Sequence, residues 1–421
     1  MKKAFSILLS VVILLGGLGI NSAEAITKEE YYQRVVYRNN SSEIFKDVRD
    51  YNVKFKKDFG AIILVNEKSL ASDGLSASGL VGVTNGMIVP VDLYKSASYL
   101  LKNELYKFEN LPEKVYIIGG TNVINPVMDG EFREKGFTVK RIQGKNRIET
   151  SYNIAKEIKA LKGGNVTEMA VTKAYNGEAD AVSIASEAIR RKMPIILTNG
   201  SKLPKESPLG KEVKKIYAIG GPAVIKDSLI KQLKAERIGG KDRYETNAKV
   251  IERFGKHEGC TIVSGRNEDL GLSLYAATMD ASKPIVMTKG TPGKQLNLIN
   301  SAKTILFANK ETNGMKAQVP FIIASYGKEV FDAYNKVQKL DIKKIGLRYG
   351  DYIIYTPEEN YLNGTNINKK DYIIFTPCDY FEFGDKSGIK YNLLFSKKDK
   401  KIYVMPQGYD APIDATHLLN K

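Results

Sequence analysis

The stretch Arg141 to Thr150, RIQGKNRIET, returns 96 residues later as Arg237 to Thr246, RIGGKDRYET. Seven of the ten positions are identical. A match this long inside one chain marks an array of similar units. The copies extend outward. VYIIGGTNVIN, from Val115, precedes the first, and IYAIGGPAVIK, from Ile216, precedes the second. Each copy is followed by a helical pattern, a small-residue stretch and an apolar run. The runs are Pro194-Ile195-Ile196-Leu197-Thr198 and Pro284-Ile285-Val286-Met287-Thr288. A weaker cycle ends at Val319 to Gly327, and a degenerate one leads up to Gly119-Gly120.

Within each cycle, short β-like runs alternate with helical patterns. GAIILV from Gly60, Met87-Ile88-Val89 and Val115 to Ile118 read as strands. A helix opens at Ser72 to Ser78, another covers Tyr94 to Phe108, and a further helix starts near Lys28. The second cycle offers helices at Ile154 to Leu161 and Ala179 to Arg190, with strands at Met169, Ile195 and Ile216. The third offers helices at Asn247 to Phe254 and Leu272 to Met279, with strands at Thr261, Ile285 and Ile305. Strands alternating with helices predict parallel sheets joined by crossover helices.

Beyond Leu340 the composition shifts. Nine of the 24 Tyr residues fall between Tyr349 and Tyr409. Asp351-Tyr352-Ile353-Ile354-Tyr355-Thr356-Pro357 recurs as Asp371-Tyr372-Ile373-Ile374-Phe375-Thr376-Pro377. Asn392 to Met405, broken by KKDK, reads as a hairpin. This is a small β-rich module.

The opening residues, MKKAFSILLSVVILLGGLGINSAEA, have a cationic start, an apolar core and Ala23-Glu24-Ala25 as a cleavage site. They read as a secretory signal peptide, so no membrane contact is expected after its removal. Two cysteines, Cys260 and Cys378, make no disulfide framework. The net charge is +17. Residues 1–25 contribute +1, residues 341–421 another +1, and residues 26–340 the remaining +15. A cationic array outside the cell attracts anionic polymers: wall polysaccharides, phosphate-bearing glycans or polyanions of a host. Export argues against nucleic acid as the partner.

In R-I-x-G-K-x-R-x-E-T, Thr150 and Thr246 are placed to cap a helix, and Glu149 and Glu245 to pair with arginine. The motif arginines Arg141, Arg147, Arg237 and Arg243 fit two roles, ligand binding and salt bridges between repeats. The Gly-Gly turns after a strand are tight turns before they are anion sites, and no dinucleotide pattern accompanies them. The histidines, His257 and His417, form no catalytic or zinc pattern with the cysteines. The expectation is a non-enzymatic protein without cofactor or metal. The rivals are a wall hydrolase, amidase or peptidase, that the array targets, and an adhesin acting through the Tyr-rich tail.

These motifs together resemble the type 2 cell-wall-binding repeats of clostridial surface proteins. The resemblance rests on the two Arg motifs, Gly119-Gly120, Gly220-Gly221, Ala179-Asp180-Ala181 and the Pro-Ile-Ile-Leu runs. It implies an α/β protein of three tandem Rossmann-like repeats with parallel sheets in a pseudo-threefold arrangement. The repeats would be 26–140, 141–236 and 237–340, followed by the accessory module 341–421. It further implies non-covalent anchoring to an anionic wall polysaccharide, with surface-layer proteins as neighbours. The polysaccharide-binding set that follows is Arg141, Arg147, Thr150, Asp180, Pro194 to Thr198, Arg237, Arg243, Thr246 and Pro284 to Thr288. Repeat one departs, with Gly86-Met87-Ile88-Val89 in place of the Pro run and Tyr37 to Glu43 in place of the Arg motif. Repeat three departs at Ser325-Tyr326-Gly327, and its small-residue Asp is missing or shifted to Asp269.

Overall fold

The computed structural model describes residues 35–38, 41–54, 57–203, 210–255, 260–288, 305–309, 328–337, 339, 352–355, 368–378, 391–406 and 411–418. The signal segment, the helix expected near Lys28, His257 and the run Val319 to Gly327 lie outside them. The described chain begins with β1 (Val35–Arg38) and α1 (Ser41–Lys54). The first cycle continues with β2 (Ala61–Asn66), α2 (Ser78–Thr84), β3 (Gly86–Val91), β4 (Lys114–Ile118), α3 (Val127–Glu134) and β5 (Thr138–Ile142). The second has α4 (Arg147–Leu161), β6 (Glu168–Lys173), α5 (Glu178–Arg191), β7 (Ile195–Thr198), β8 (Lys215–Ile219), α6 (Asp227–Leu233) and β9 (Glu236–Ile238). The third has α7 (Arg243–Phe254), β10 (Thr261–Ser264), α8 (Leu272–Met279), β11 (Ile285–Thr288) and β12 (Ile305–Asn309).

The sheet orders are β3-β2-β4-β5, β7-β6-β8-β9 and β1-β12-β10-β11. Every pairing in the first two sheets is parallel, as is β10 with β11. The strands β2, β3, β7, β10 and β11 are buried along their whole length. That explains their near-continuous apolar reading: helices cover both faces of a parallel sheet.

The strand that carries the first motif arginine lies in the sheet before the helix it introduces. Arg141 lies in β5 of sheet one, and α4 then packs on β7 of sheet two. Arg237 stands likewise in β9 of sheet two, ahead of α7. Sheet three takes its edge strand, β1, from the other end of the array. Each cycle is therefore stitched to the next, and the Tyr37-Arg38 segment closes sheet three rather than opening sheet one.

The helix α5 is the hub. It packs against α2 of the first cycle and against α7 and α8 of the third. Its eleven residues from Ala179 to Ile189 are all buried. Small side chains such as Ala181, Ala185 and Ala188 let neighbours approach closely. On α2 the approach is tighter still. A Cβ at Gly82 would lie 2.0 Å from the Ile189 carbonyl oxygen, and one at Gly79 would lie 2.3 Å from that of Met193.

Between Tyr94 and Phe108 the structure corrects the expected helix. Asp92 Oδ1 accepts the N–H groups of Tyr94 and Lys95, holding a turn. Ser96 then caps a single turn, Ala97–Tyr99, and a wider π-turn follows at Leu100–Glu104. Local side-chain bonds compete with helix here and win.

The second compact unit is the C-terminal one. Strands β13 (Tyr352–Tyr355), β14 (Tyr372–Cys378), β15 (Tyr391–Ser396), β16 (Ile402–Pro406) and β17 (Ile413–Asp414) form an antiparallel meander. The twin D-Y-I-I segments pair with each other as β13 and β14. Ile374, Leu394 and Met405 form its core. The helix α9 (Lys328–Val337) packs on this sheet, with Tyr334 and Phe375 ring centroids 6.2 Å apart.

Two glycines test the hub. Gly82→Ala is expected to cost about 1–3 kcal/mol, because its methyl meets backbone that has no rotamer to yield. Gly130→Ala, in α3 with nothing within 4 Å of the new methyl, is expected to gain about 0.5–1 kcal/mol. Urea unfolding of both variants checks the pair. Equal effects would contradict the close helix contact.

Candidate functional site

The repeated motif divides into three working parts. Its first arginine closes the Gly-Gly turn. Arg141 donates from Nη1 to the Gly119 carbonyl at 3.0 Å and from Nη2 to that of Asn125 at 3.3 Å. Its Nε and Nη2 hold the Asp129 carboxylate. Arg237 donates to the Gly220 carbonyl at 3.1 Å and to Asp227 Oδ1 at 2.6 Å. Bidentate binding of this kind suits arginine's planar fork. These two arginines are tied up in the scaffold, and their partners Asp129 and Asp227 were not singled out in the sequence. The signal was there: each is an acid in the first turn of the helix after a Gly-Gly turn.

The middle of the motif shapes the loop. Asn146 and Asp242, not the threonines, cap α4 and α7. Asn146 Oδ1 accepts the Glu149 N–H at 3.1 Å, and Asp242 Oδ1 accepts that of Glu245 at 2.9 Å. Three-residue spacing to the acidic position is the capping-box geometry. The Thr150 and Thr246 hydroxyls accept the N–H groups of Gly144 and Gly240 instead, at 3.1 and 3.0 Å. Glu149 and Glu245 accept the backbone N–H groups of Lys145 and Lys241, and Glu245 also pairs with Lys249. Neither pairs with arginine among the described residues.

The second arginine is the part that crosses a boundary. Arg147 opens α4 and donates from Nη1 to the Ala174 carbonyl at 2.9 Å and to Glu178 Oε1 at 3.0 Å. Its guanidinium stands 4.5 Å from the Tyr175 ring centroid. It also acts on Asp73 of the preceding cycle, where burial raises the carboxyl and the Arg147 charge and a Ser69 hydrogen bond lower it again. Asp73 Oδ1 is buried with no hydrogen-bond partner. Arg243 repeats the pattern from α7. Its Nη1 donates to the Gly265 carbonyl at 2.8 Å and to Asn267 Oδ1 at 2.7 Å. It acts on Asp180 of the cycle before, whose carboxyl burial pushes up to about 7, against the Arg243 charge and with help from Glu178. Gly220, at φ +131°, stands where a Cβ would lie 2.8 Å from Asp180 Oδ2. Only glycine serves a left-handed turn against a carboxylate.

The Pro runs are core. Pro194 to Thr198 and Pro284 to Thr288 are buried throughout. Both strands lie at sheet edges. Their backbones are held from the next helix. Ser151 Oγ accepts the Leu197 N–H at 3.0 Å. Asn247 Oδ1 accepts the Met287 N–H at 2.9 Å, and its Nδ2 donates to the Ile285 carbonyl at 2.8 Å. Ser151 and Asn247 occupy the same motif position, directly after Glu-Thr. Edge strands tied down in this way show no apolar side chain to solvent. Arg147 and Arg243 act on Asp73 and Asp180 through charge alone, with no ion pair between them among the described residues. The structure leaves Arg141, Arg237, Thr150, Thr246 and the two runs in supporting positions.

Two segments of the chain, residues 141–230 and 237–325, match the family model of cell wall binding domain 2. These two segments are similar to type 2 cell-wall-binding repeats. Two cell-wall proteins of Clostridium difficile are similar in structure to this repeat protein. Cwp6 is 27% identical with a TM-score of 0.58, over 74% of this chain and 51% of its own. Cwp8 is 25% identical with a TM-score of 0.56, over 68% and 51%. Among curated relatives from Bacillus subtilis, the amidase enhancer is 32% identical over 47% of this chain and 26% of its own. The N-acetylmuramoyl-L-alanine amidase LytC is 26% identical over 60% and 49%. The chain thus spans between a quarter and a half of the length of these curated relatives. No helix among the described residues is long and apolar enough to cross a membrane.

The Asp180 carboxyl titrates near 7 in the fold and near 3.8 outside it. The folded chain therefore keeps a proton that the unfolded chain has lost. Stability from this group is full below the lower value and declines as pH rises to the upper one. The variant Asp180→Asn lacks that decline. Its melting temperature minus that of the unmodified protein is expected to widen from pH 4 to 7 and then level off. A constant gap would contradict the burial of an ionising carboxyl.

Proposed function

We propose that the protein is a non-enzymatic anchor that holds an anionic wall polysaccharide through the seams between its repeats. One observation carries the reading. At two equivalent seams a part-exposed arginine, Arg147 and Arg243, bonded through Nη1 alone among the described residues, acts across the repeat boundary on a carboxyl that burial raises. Arginine in such a place presents a planar fork to phosphate or carboxylate. The +15 charge over residues 26–340 draws an acidic polymer toward the array. The C-terminal meander is a separate module on the anchored chain.

Similarity to the amidase LytC covers 60% of this chain and similarity to the amidase enhancer 47%. It makes hydrolysis the reading to test against. The full mature chain, mixed with purified walls at low salt, is expected to sediment with them. It should stay in solution with walls stripped of their polysaccharide, and release should follow rising ionic strength as charges are screened. Suspension turbidity should remain constant. Binding to stripped walls would contradict the polysaccharide as ligand, and clearing of the suspension would contradict a binding-only role.

A further inference from the structure

The three central strands β2, β6 and β10 end at Asn66, Lys173 and Ser264. Seven residues beyond each lie Asp73, Asp180 and Gly271. The helices that open the next cycle start at Arg147 and Arg243, and α1, which closes the ring, starts at Ser41. The arginine is therefore present at two seams and absent at the third, where Ser41 takes its place and the buried Asp269 lies two residues before Gly271. That third seam is real, since α1 packs against α8. Backbone does not force glycine at 271. Its φ is −61° and ψ −32°, and a Cβ there would meet only the Leu70 side chain, at 3.3 Å.

The two complete seams also keep donors in reserve. Among the described residues, every hydrogen bond of the Arg147 and Arg243 guanidiniums is made by Nη1. The Nε/Nη2 edge, the one that binds an oxyanion with two parallel bonds, is left open at both. At the first seam Asp73 Oδ1 also waits without a donor.

We propose that the Asp73–Arg147 and Asp180–Arg243 seams each take one acidic group of the polysaccharide, a phosphate or a carboxylate, and that the Gly271–Ser41 seam takes none. This rests on the anchoring role given above. The consequence is a two-point grip. Two linked contacts hold a long polymer far more tightly than either alone, because the second forms at high effective concentration.

Arginine-selective 15N labelling of the full mature chain makes the sites countable. The probes are glucose 1-phosphate and methyl glucuronide, each with a single acidic group. The Nε–H signals of Arg147 and Arg243, assigned from the Arg147→Lys and Arg243→Lys spectra, are expected to move and saturate. The probe that saturates at lower concentration distinguishes phosphate from carboxylate. Arg243→Lys should abolish one response and leave the other within about twofold, as for independent sites. The double variant Ser41→Arg, Gly271→Asp should add a third saturable signal. If it does not fold, the unmodified protein still gives the count. A response from one arginine alone, or a shift that never saturates, overturns the proposal. So does silence from both in a chain that still sediments with walls. Failure to sediment at low salt would instead overturn the anchoring role itself.

Discussion

The array depends on one interaction: an arginine at the start of a helix set against a buried carboxyl of the preceding repeat. Burial raises the Asp73 and Asp180 carboxyls, and the arginine charges oppose that rise. Each seam is therefore part electrostatic contact and part open site. Everything nearby serves that placement. The capped loop from Gly144 to Asn146 sets where α4 begins. Arg141 ties the preceding strand to its Gly-Gly turn. Gly220 gives the Asp180 carboxyl its room.

The stitching of strands between cycles makes the seams possible. A strand that ends one sheet leads directly into the helix that borders the next. The motif thus spans a boundary by construction, and its two arginines end on opposite sides of it. The hub helix α5 fixes the angle between cycles through small residues and backbone contacts with α2. Its own first turn carries both Glu178, which binds Arg147, and Asp180, which faces Arg243. One helix end therefore serves two seams, and a shift of α5 would be felt at both.

Much of this was legible in the residues. The repeat, the parallel sheets and the separate antiparallel tail all follow from period and pattern, and the pairing of the two D-Y-I-I segments realises their identity. The parts that were not legible share a cause: they depend on which repeat a residue meets. Nothing in Val35 to Arg38 says that this strand completes the third sheet. The Pro-Ile-Ile-Leu runs read as strands, but nothing in them says that Ser151 and Asn247 hold their edges. Asp73 sits in a plain small-residue segment and gains meaning only from Arg147, 74 positions along the chain. Periodicity reports the unit; the seam belongs to two units at once.

The account is tested most directly at Arg147. The variant Arg147→Lys keeps the charge and a donor for Ala174 or Glu178, but it has no planar fork. Wall retention and thermal unfolding should be measured on the same preparation. The expected result is about a tenfold loss of affinity, the equivalent of one charge-assisted bond, with a melting temperature changed by no more than about 3 °C. A large fall in melting temperature with retention unchanged would contradict it, and would make the seam arginine a structural bridge alone.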